Sequence, residues 1–566
     1  MKPFWTVVVL LSIIVIGTVL RIDNIEERTI GHIEMYVPGI EFPGDISIPR
    51  LRLTVQDTIL RTLGEEPHPP GYYLLMFPWT KMFGTSLLSI RLPSVIFGVS
   101  CILLVYLLCV KVENKLTGLL AAGMLALNGL HIYWSQEAKF YIFACFLGLL
   151  STLILVRLSN SERFQRIKQF SYIVITLAGL TTVIYFWVIF ATHMLWSFIN
   201  DWKHKRSVLT IPRLQILIFI LGSPLWAIAA YQSRRESYIL EPFLLEISQF
   251  FQFGFLFEPE LYLESLQNNM PLICTVGLLA LAAFLFIIGL IQKVVVAEPE
   301  VTANNESDKW LSSGMMRIIG IFCFLVILVF TKFSHLKDPS RTTLILCTGC
   351  VPLILPILDV ILKKYWIRFC FTGRSLDYKI PLVHKLTSIN TLLGIIPTLI
   401  IAVISFITPL FVARGMLLFV PYYIIILCRG IAALVQRHRG WVILLIILAV
   451  IHIMGVTHWQ TRVHSPRNYK ELYEKLTPKI KESDLIFVYR NWAMTPIFYY
   501  LKEDQYHLVG RNYLQALKEN PNARIWVLCL PGMPMKEEIK DALKSYELQE
   551  RVDAFNMWSL LYQKKP

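Results

Sequence analysis

Four side chains in the polar segments of this apolar chain have the types needed to transfer a group from a phosphate. Glu34 offers a carboxylate that can accept a proton from an attacking group, the role of a general base. Lys139 and Arg414 offer cations for a phosphate whose negative charge grows as it leaves. His68, in a rigid His-Pro-Pro bend, is a candidate for contact with the donor or the acceptor. We therefore predict Glu34 as the catalytic base and Lys139 and Arg414 as phosphate-binding residues.

Each of these four residues also has a purely structural interpretation. Glu34 would then be a solvated loop acid, and His68 a brace for the helix that follows it. Lys139 and Arg414 stand where the cations of any membrane protein extend toward the surface. The sequence leaves both interpretations open.

Three further residues are expected to bind substrate or to position the loops. Tyr72 starts an aromatic segment, residues 72–79, which suits a helix lying in the membrane interface. Glu137 is expected to pair with Lys139 or to cap the next helix rather than to act in catalysis. Arg91 is expected to anchor loop geometry.

The composition indicates that these residues are carried by a membrane protein. Of the 566 residues, 55% are hydrophobic and only 16% are charged, and the mean hydropathy is +0.56. Soluble domains carry about 25% charged residues, and disordered chains have low hydrophobicity, so both classes are excluded. The net charge of +15 fits the positive-inside bias of membrane proteins, and no nucleic-acid partner is expected.

Apolar runs near the length of a membrane-spanning helix cover most of the chain as far as residue 456. The first run is read as an uncleaved anchor with its N-terminus inside. The runs are Phe4–Leu20, Leu88–Val110, Thr117–Trp134, Phe140–Val156, Ser171–Asn200, Leu214–Tyr231, Met270–Ile291, Ile318–Thr331, Thr342–Leu362, Leu386–Thr408, Met416–Leu434 and Trp441–Val456.

The basic loops set the orientation. Lys363–Lys385 carries six basic residues and one acid, so it is predicted to be cytoplasmic. Arg157–Phe170 and Asp201–Arg213 each carry four basic residues, which also predicts an inner location. A single crossing by Ser171–Asn200 would put these two loops on opposite sides. The run is therefore predicted to form two short helices with an outside turn near Tyr185–Phe186, with a single long tilted helix as the alternative.

The predicted fold class is mainly α: a polytopic helical membrane protein of about 13 spans with a small C-terminal α/β domain outside the membrane. Residues 1–458 would form the membrane domain, with a large first outer loop over 21–87, and residues 459–566 the outer domain. Arg429, inside an apolar run, is expected to snorkel to the inner surface. The elements predicted in the outer domain are the strands Leu485–Tyr489, Arg524–Leu530 and Ala554–Gln563 and the helices Ile497–Lys502 and Met535–Lys544.

A series of motifs in one order resembles a known family. The motifs are Leu20-Arg21, His68-Pro69-Pro70 with Tyr72-Tyr73, Phe83-Gly84, Ile90-Arg91-Leu92-Pro93-Ser94, Ser135-Gln136-Glu137-Ala138-Lys139-Phe140-Tyr141, Phe411-Val412-Ala413-Arg414 and Pro421. The chain resembles the multi-spanning, polyprenyl-phosphate-dependent glycosyltransferases of the C fold (GT-C). Relatives within that group are the protein O-mannosyltransferases and the bacterial aminoarabinose transferase of lipid A. The N-terminal third carries the specific part of the resemblance.

The resemblance implies an enzyme that moves a sugar from a polyprenyl-phosphate donor to a lipid, glycan or protein acceptor on the outer face. Short loops without long insertions favour a bacterial inner membrane as the location, with the C-terminal domain periplasmic or extracellular; in a eukaryote the outer face would be lumenal. The Asp-Glu pair of the family's first loop aligns with Ile33-Glu34, so the Asp is absent here. Lys139 stands where the family has Arg, which keeps a cation but loses a bidentate donor. A divalent cation is an alternative to some of the basic groups, and the metal requirement stays unknown.

Two other functions compete with this one. A transporter or lipid flippase would fit the number of spans, but transporters usually show repeat symmetry and ionisable groups near the midplane. The absence of the Asp before Glu34 also allows a non-catalytic membrane protein whose outer domain binds a partner.

Overall fold

The computed structural model describes most of the N-terminal helices, parts of two later helical regions and most of the C-terminal domain. The described residues are 3–40, 55–56, 59, 69–160, 165–203, 210–233, 388–405, 414–437, 468–488, 496–501, 506–510, 512–530, 535–555 and 557–565.

The described part of residues 1–437 is helical. The helices are α1 (Pro3–Ile22), α2 (Gly71–Phe83), α3 (Leu87–Val112), α4 (Lys115–Ala126), α5 (Gly129–Ser135), α6 (Phe140–Asn160), α7 (Gln165–Leu180), α8 (Phe186–Lys203), α9 (Thr210–Ser233), α10 (Ile389–Ser405) and α11 (Val420–Arg437). Two short 3-10 helices lie at His32–Tyr36 and Gly415–Leu418.

Several of these helices are apolar enough to span a membrane. Among the described residues, Phe4–Ile22, Leu87–Val112 and Phe140–Ser159 pass by length and composition. The pair α4 and α5, bent by 61° at its break, adds a fourth if it is one span. The count of 13 spans includes apolar runs outside the described residues and stays a prediction.

Side-chain caps at α3, α4 and α5 set where these helices begin. Ser86 accepts a hydrogen bond from the N–H of Ser89, and Asn114 accepts one from Thr117. Asn128 accepts one from His131, so α5 begins with only two residues between it and the end of α4. Each cap pairs a backbone donor that the first turn of a helix leaves without a partner. The caps therefore fix the corners between α2 and α5, next to the polar loops.

The apolar run Ser171–Asn200 is two helices, as predicted. Helix α7 ends at Leu180 and α8 begins at Phe186. The turn between them lies against the start of α2, where the N–H of Gly71 donates to the carbonyl of Thr181 at 2.6 Å. The turn is therefore at the same end of the helical part as the first loop, which agrees with the parity argument.

The prediction that Arg429 snorkels to the surface is wrong. Its guanidinium is buried and forms an ion pair with Glu113, which directly follows α3. Arg429 also donates to Thr391 Oγ1 at 3.0 Å, and the Nδ2 of Asn390 donates to Glu113 at 3.1 Å. Because a buried carboxylate and neighbouring polar groups balance its charge, the arginine does not have to reach water.

The C-terminal domain is a mixed α/β unit around a five-stranded sheet. The strands, in spatial order, are β2 (His507–Val509), β1 (Leu485–Phe487), β3 (Ile525–Cys529), β5 (Met557–Lys564) and β4 (Tyr546–Ala554). The pairs β2–β1 and β1–β3 are parallel, whereas β3–β5 and β5–β4 are antiparallel. Its helices are α12 (Tyr469–Leu476), α13 (Ile497–Tyr500), α14 (Tyr513–Glu519) and α15 (Glu537–Ala542).

Alternation along the central strands gives the sheet two buried faces. Leu485 and Phe487 pack with Ile525 against α14 and α15, while Ile486 and Trp526 belong to the hydrophobic cluster that continues into the helical part. Three predicted strands are observed, with ends that differ by at most three residues, and the predicted helices are shorter than expected. Strands β2 and β4 were not predicted. The proposed domain boundary at 458/459 lies outside the described residues.

Candidate active site

Arg91, in the second turn of α3, organises the first loop. Its side chain is buried, and all five of its N–H groups have acceptors. Two contact Glu34, with Nε to Oε1 at 2.8 Å and Nη2 to Oε2 at 2.6 Å. The others reach the carbonyls of Ile25, Arg28 and Thr29 at 2.7 to 3.0 Å. The guanidinium therefore holds both the loop backbone and its carboxylate.

Glu34, in the 3-10 helix His32–Tyr36, is fully buried and fully hydrogen-bonded. Besides the two bonds from Arg91, Oε1 accepts from the N–H of Ala138 and Oε2 from the N–H of Gly31, each at 2.9 Å. Burial alone would raise the pKa of Glu34, but the charge of Arg91 and these hydrogen bonds bring it below its ordinary value. Such a carboxylate is well suited to position neighbouring groups and poorly suited to accept a proton.

Glu137 supplies a second carboxylate beside Glu34. Its Oε1 accepts from Arg28 Nη2 at 2.7 Å, an ion pair that the sequence did not indicate. A Cβ placed on Gly31 would lie 3.5 Å from Glu137 Oε2 and 3.8 Å from Glu34 Oε2, so both oxygens face this glycine. Burial and then the negative charge of Glu34 raise the pKa of Glu137 to about 7, against the opposing charges of Arg28 and Arg91.

The turn before α6 thus brings a second carboxylate to the first loop. Arg28 also donates to Gln136 Oε1 at 3.2 Å, and its guanidinium lies 4.7 Å from the ring centroid of Tyr133. Two arginines therefore flank two carboxylates. Arg28 was missed by sequence reasoning because nothing in its local sequence distinguishes it from an ordinary loop cation.

Lys139 lies in an aromatic pocket next to these carboxylates. Its Nζ donates to Tyr73 Oη at 2.8 Å. The ring centroids of Tyr36, Tyr73 and Phe140 lie 5.5, 5.5 and 5.0 Å from Nζ. Aromatic faces attract a cation and hold it in place with little solvent around it.

The other predicted residues lie at the same end of the helical part or outside the described residues. Tyr72 is fully buried next to Lys139's partner Tyr73, and burial raises the pKa of its phenol. Arg414 is half-buried and precedes the 3-10 helix Gly415–Leu418, which packs against α6. A Cβ on Gly415 would lie 2.4 Å from the ring of Tyr185, in the turn that contacts α2. His68 lies outside the described residues.

One group of side chains within the described ranges has the types of a metal site. Cys101, His131 and Cys145 are buried, with their ligand atoms within 4.8 Å of one another. Arg21 Nη2 lies 2.8 Å from His131 Nδ1 and can only donate. Neutral His131 therefore carries its proton on Nε2, which leaves no lone pair there for a cation. This group does not fit a metal, and it is separate from the carboxylates of the first loop.

Comparison with known proteins finds a family similarity in the N-terminal helices. Residues 67–228 match the family described as dolichyl-phosphate-mannose-protein mannosyltransferase. No curated protein matches the chain.

Solved structures give weaker similarities over nearly the whole chain. ArnT from Cupriavidus metallidurans bound to undecaprenyl phosphate is 8% identical, with a TM-score of 0.39 over 99% of this chain and 98% of that one. The oligosaccharyltransferase AglB from Archaeoglobus fulgidus, in complex with an inhibitory peptide and a dolichol-phosphate, is 11% identical. Its TM-score is 0.42, over 99% of this chain and 74% of that one. At these values the structural similarities carry no weight for the site.

Proposed function

We propose that the chain is a lipid-phosphate-dependent glycosyltransferase that transfers a sugar from a polyprenyl phosphate to a lipid, glycan or protein acceptor at the outer face of the membrane. The family match of residues 67–228 supports this proposal. The observation that carries the proposed mechanism is the pair of buried carboxylates, Glu34 and Glu137, beside Lys139. Glu137, whose pKa is raised to about 7, supplies a proton acceptor. Lys139 supplies a cation for the leaving phosphate.

In the proposed reaction an acceptor hydroxyl gives its proton to Glu137 as its oxygen attacks the anomeric carbon. The bond between that carbon and the phosphate oxygen breaks, and polyprenyl phosphate leaves with the electron pair. Lys139 and Arg414 stabilise the charge that develops on the leaving phosphate. Arg91 and Glu34 keep the loop and the second carboxylate in position.

The geometry favours Glu137 over Glu34 as the base. The oxygens of Glu34 accept four hydrogen bonds, two of them from a guanidinium. A proton arriving there would have to displace Arg91 or a backbone donor, whereas Glu137 has a pKa close to that of an efficient general base. Glu34 as the base stays a prediction, and its negative charge supports Glu137 by raising the pKa of that neighbour.

We further propose a bacterial inner membrane, with the C-terminal domain on the periplasmic or extracellular side. The excess of Lys and Arg supports this orientation. Segments assigned to the inside hold 22 Lys and Arg and 8 Asp and Glu, which is +14 of the total +15. A divalent cation at the carboxylates would compete with Arg28 and Arg91 for their oxygens.

The test is sugar transfer by purified full-length protein supplied with polyprenyl-phosphate-linked sugars and candidate acceptors. We expect Glu137→Gln to lower the turnover rate by about 10²–10⁴-fold, the contribution of a general base. Glu34→Gln should impair turnover through the loss of its ion pair with Arg91. Glu26→Gln, which changes an exposed acid of the same loop, is the matched control and should leave the rate unchanged.

Two results would contradict the proposal. Full activity of Glu137→Gln would eliminate Glu137 as the base and return the role to Glu34. Lipid movement by wild-type proteoliposomes without any sugar transfer would instead support a flippase.

A further inference from the structure

The C-terminal domain reaches the first loop through two consecutive tyrosines at the end of α13. Tyr500 Oη accepts a hydrogen bond from the N–H of Ile30 at 3.1 Å and donates one to Thr29 Oγ1 at 3.4 Å. Tyr499 Oη donates to the carbonyl of Thr85, between α2 and α3, at 3.1 Å. The two phenols therefore contact different segments of the N-terminal half.

Helix α12 adds contacts to Tyr500 and to the first loop. The ring of Tyr473 stacks on that of Tyr500, with centroids 5.7 Å apart and planes at 29°. The backbone N–H of Lys470 donates to Thr29 Oγ1 at 3.2 Å, and its Nζ contacts Glu27 at 3.0 Å. The outer ion pair is partly exposed and adds little. The directed contacts to Thr29 and Ile30 fix the position of the loop.

Both tyrosines act on segments that hold the Arg91–Glu34 pair. The carbonyl of Thr29, whose hydroxyl contacts Tyr500, accepts from Arg91 Nη2 at 3.0 Å. Thr85, which Tyr499 contacts, immediately precedes Ser86, the N-cap of the helix that carries Arg91. On the loop side, Thr29 alone links Tyr500 to the guanidinium of Arg91. On the other side, Tyr499 contacts Thr85, and Arg91 lies in the second turn of the helix that begins just after it.

We propose that Tyr499 and Tyr500 form a tyrosine clamp through which the C-terminal domain positions the carboxylates for transfer. This inference rests on the proposed function. The clamp residues are positioning residues: they act through Thr29, Thr85 and Arg91 and touch no reacting atom. The domain is then a working part of the active site rather than a cover over it.

The first test separates rate from affinity. Tyr500→Phe keeps the stacked ring and removes the hydroxyl, so we expect the turnover rate to fall about fivefold, the worth of one net hydrogen bond. The KM for the polyprenyl-phosphate donor should stay unchanged. The double variant Tyr499→Phe, Tyr500→Phe should lose more, toward the roughly 10²-fold that misplacement of catalytic groups costs.

The matched control is Tyr513→Phe. That phenol is buried in the same domain and donates to the carbonyls of Val488 and Gly510 at 3.0 and 3.1 Å, away from the first loop. It should lower thermal stability without changing the turnover rate. An equal loss of turnover in Tyr513→Phe and Tyr500→Phe would overturn the proposal, because the effect would then come from domain stability.

Amide hydrogen exchange provides a second test that needs no activity. Peptides covering residues 25–37 should exchange faster in Tyr500→Phe than in wild type, since the N–H of Ile30 loses its acceptor, and should be unchanged in Tyr513→Phe. Unchanged exchange and turnover in Tyr500→Phe would overturn the clamp. If wild-type protein transfers no sugar, the proposed function fails, while faster exchange at Ile30 would still support the clamp.

Discussion

At the scale of single residues, Arg91 is the side chain for which even replacement by lysine should impair the site. Lysine would keep the positive charge but replace five directed donors by three on one flexible atom. We expect Arg91→Lys to fold and to lose turnover by about 10²-fold, since the loop and Glu34 would no longer be held in place. Steady-state kinetics of the purified variant measure this. Activity within twofold of wild type would contradict the positioning role.

The pKa of Glu137 predicts the pH dependence of transfer. The base must be deprotonated to act, so kcat/KM should rise with pH through about 7, where Glu137 loses its proton. An exposed glutamate would place this rise near pH 4 to 5. Glu26→Gln should retain the wild-type profile, and a profile that is flat between pH 5 and 8 would remove Glu137 from the mechanism.

The sequence singled out most of the residues of the candidate site but not their contacts with one another. Glu34, Arg91, Glu137 and Lys139 were selected because they are polar residues in short outer segments. Their pairing depends on the positions of α3, the first loop and the turn before α6, which no local spacing encodes. Arg28 and Tyr500 were missed for the same reason, because their roles arise only from contacts across 109 and 470 positions.

At the scale of elements, the close approach of α7 and α8 depends on Gly179. A Cβ at this position would lie 2.2 to 2.4 Å from the ring atoms of Phe186, which is the first residue of α8. We expect Gly179→Ala to destabilise the protein by about 1–3 kcal/mol, the usual result of overpacking. Thermal unfolding in detergent measures the change.

Gly123→Ala provides the matched control in a helix with more room. The nearest atom to its added Cβ is Ile13 Cδ1 at 3.8 Å, an ordinary contact distance. Alanine is the better helix former, so no loss of stability is expected. Equal melting temperatures for the two variants would show that the contact between α7 and α8 is more adaptable than its spacing indicates.

Elements were predictable where composition alone determines them. Charge parity divided Ser171–Asn200 correctly, because two basic loops on one side require an even number of crossings. Strand β4 was missed, since only two of its nine residues are buried and its sequence, YELQERVDA, lacks apolar alternation. It is an edge strand whose placement comes from pairing with β5.

At the scale of the whole molecule, the buried pair of Glu113 and Arg429 joins the N-terminal helices to α10 and α11. Removal of one partner leaves a charge uncompensated inside the protein. We expect Glu113→Gln to lower the free energy of unfolding by about 3–5 kcal/mol, and the double variant with Arg429→Gln to recover part of that loss. Lys111→Gln, at an exposed position of the same helix end, is the control and should change little.

Equilibrium unfolding of the purified variants checks this prediction. A double variant less stable than Glu113→Gln alone would mean that Arg429 contributes mainly through its contacts with α10. Equal stability of Glu113→Gln and wild type would show that the surrounding polar groups suffice to hold the arginine.

The hydrogen bond from Ile30 to Tyr500 also has a consequence for the order of events during synthesis. A ribosome that has made the first 460 residues has already delivered Glu34, Arg91 and Lys139 to the membrane, but it has not yet made either tyrosine. Through most of translation the first loop therefore lacks the hydrogen bonds that Tyr500 makes with Thr29 and Ile30. The growing chain can insert its helices before it has a fully ordered first loop, which keeps insertion and turnover separate in time.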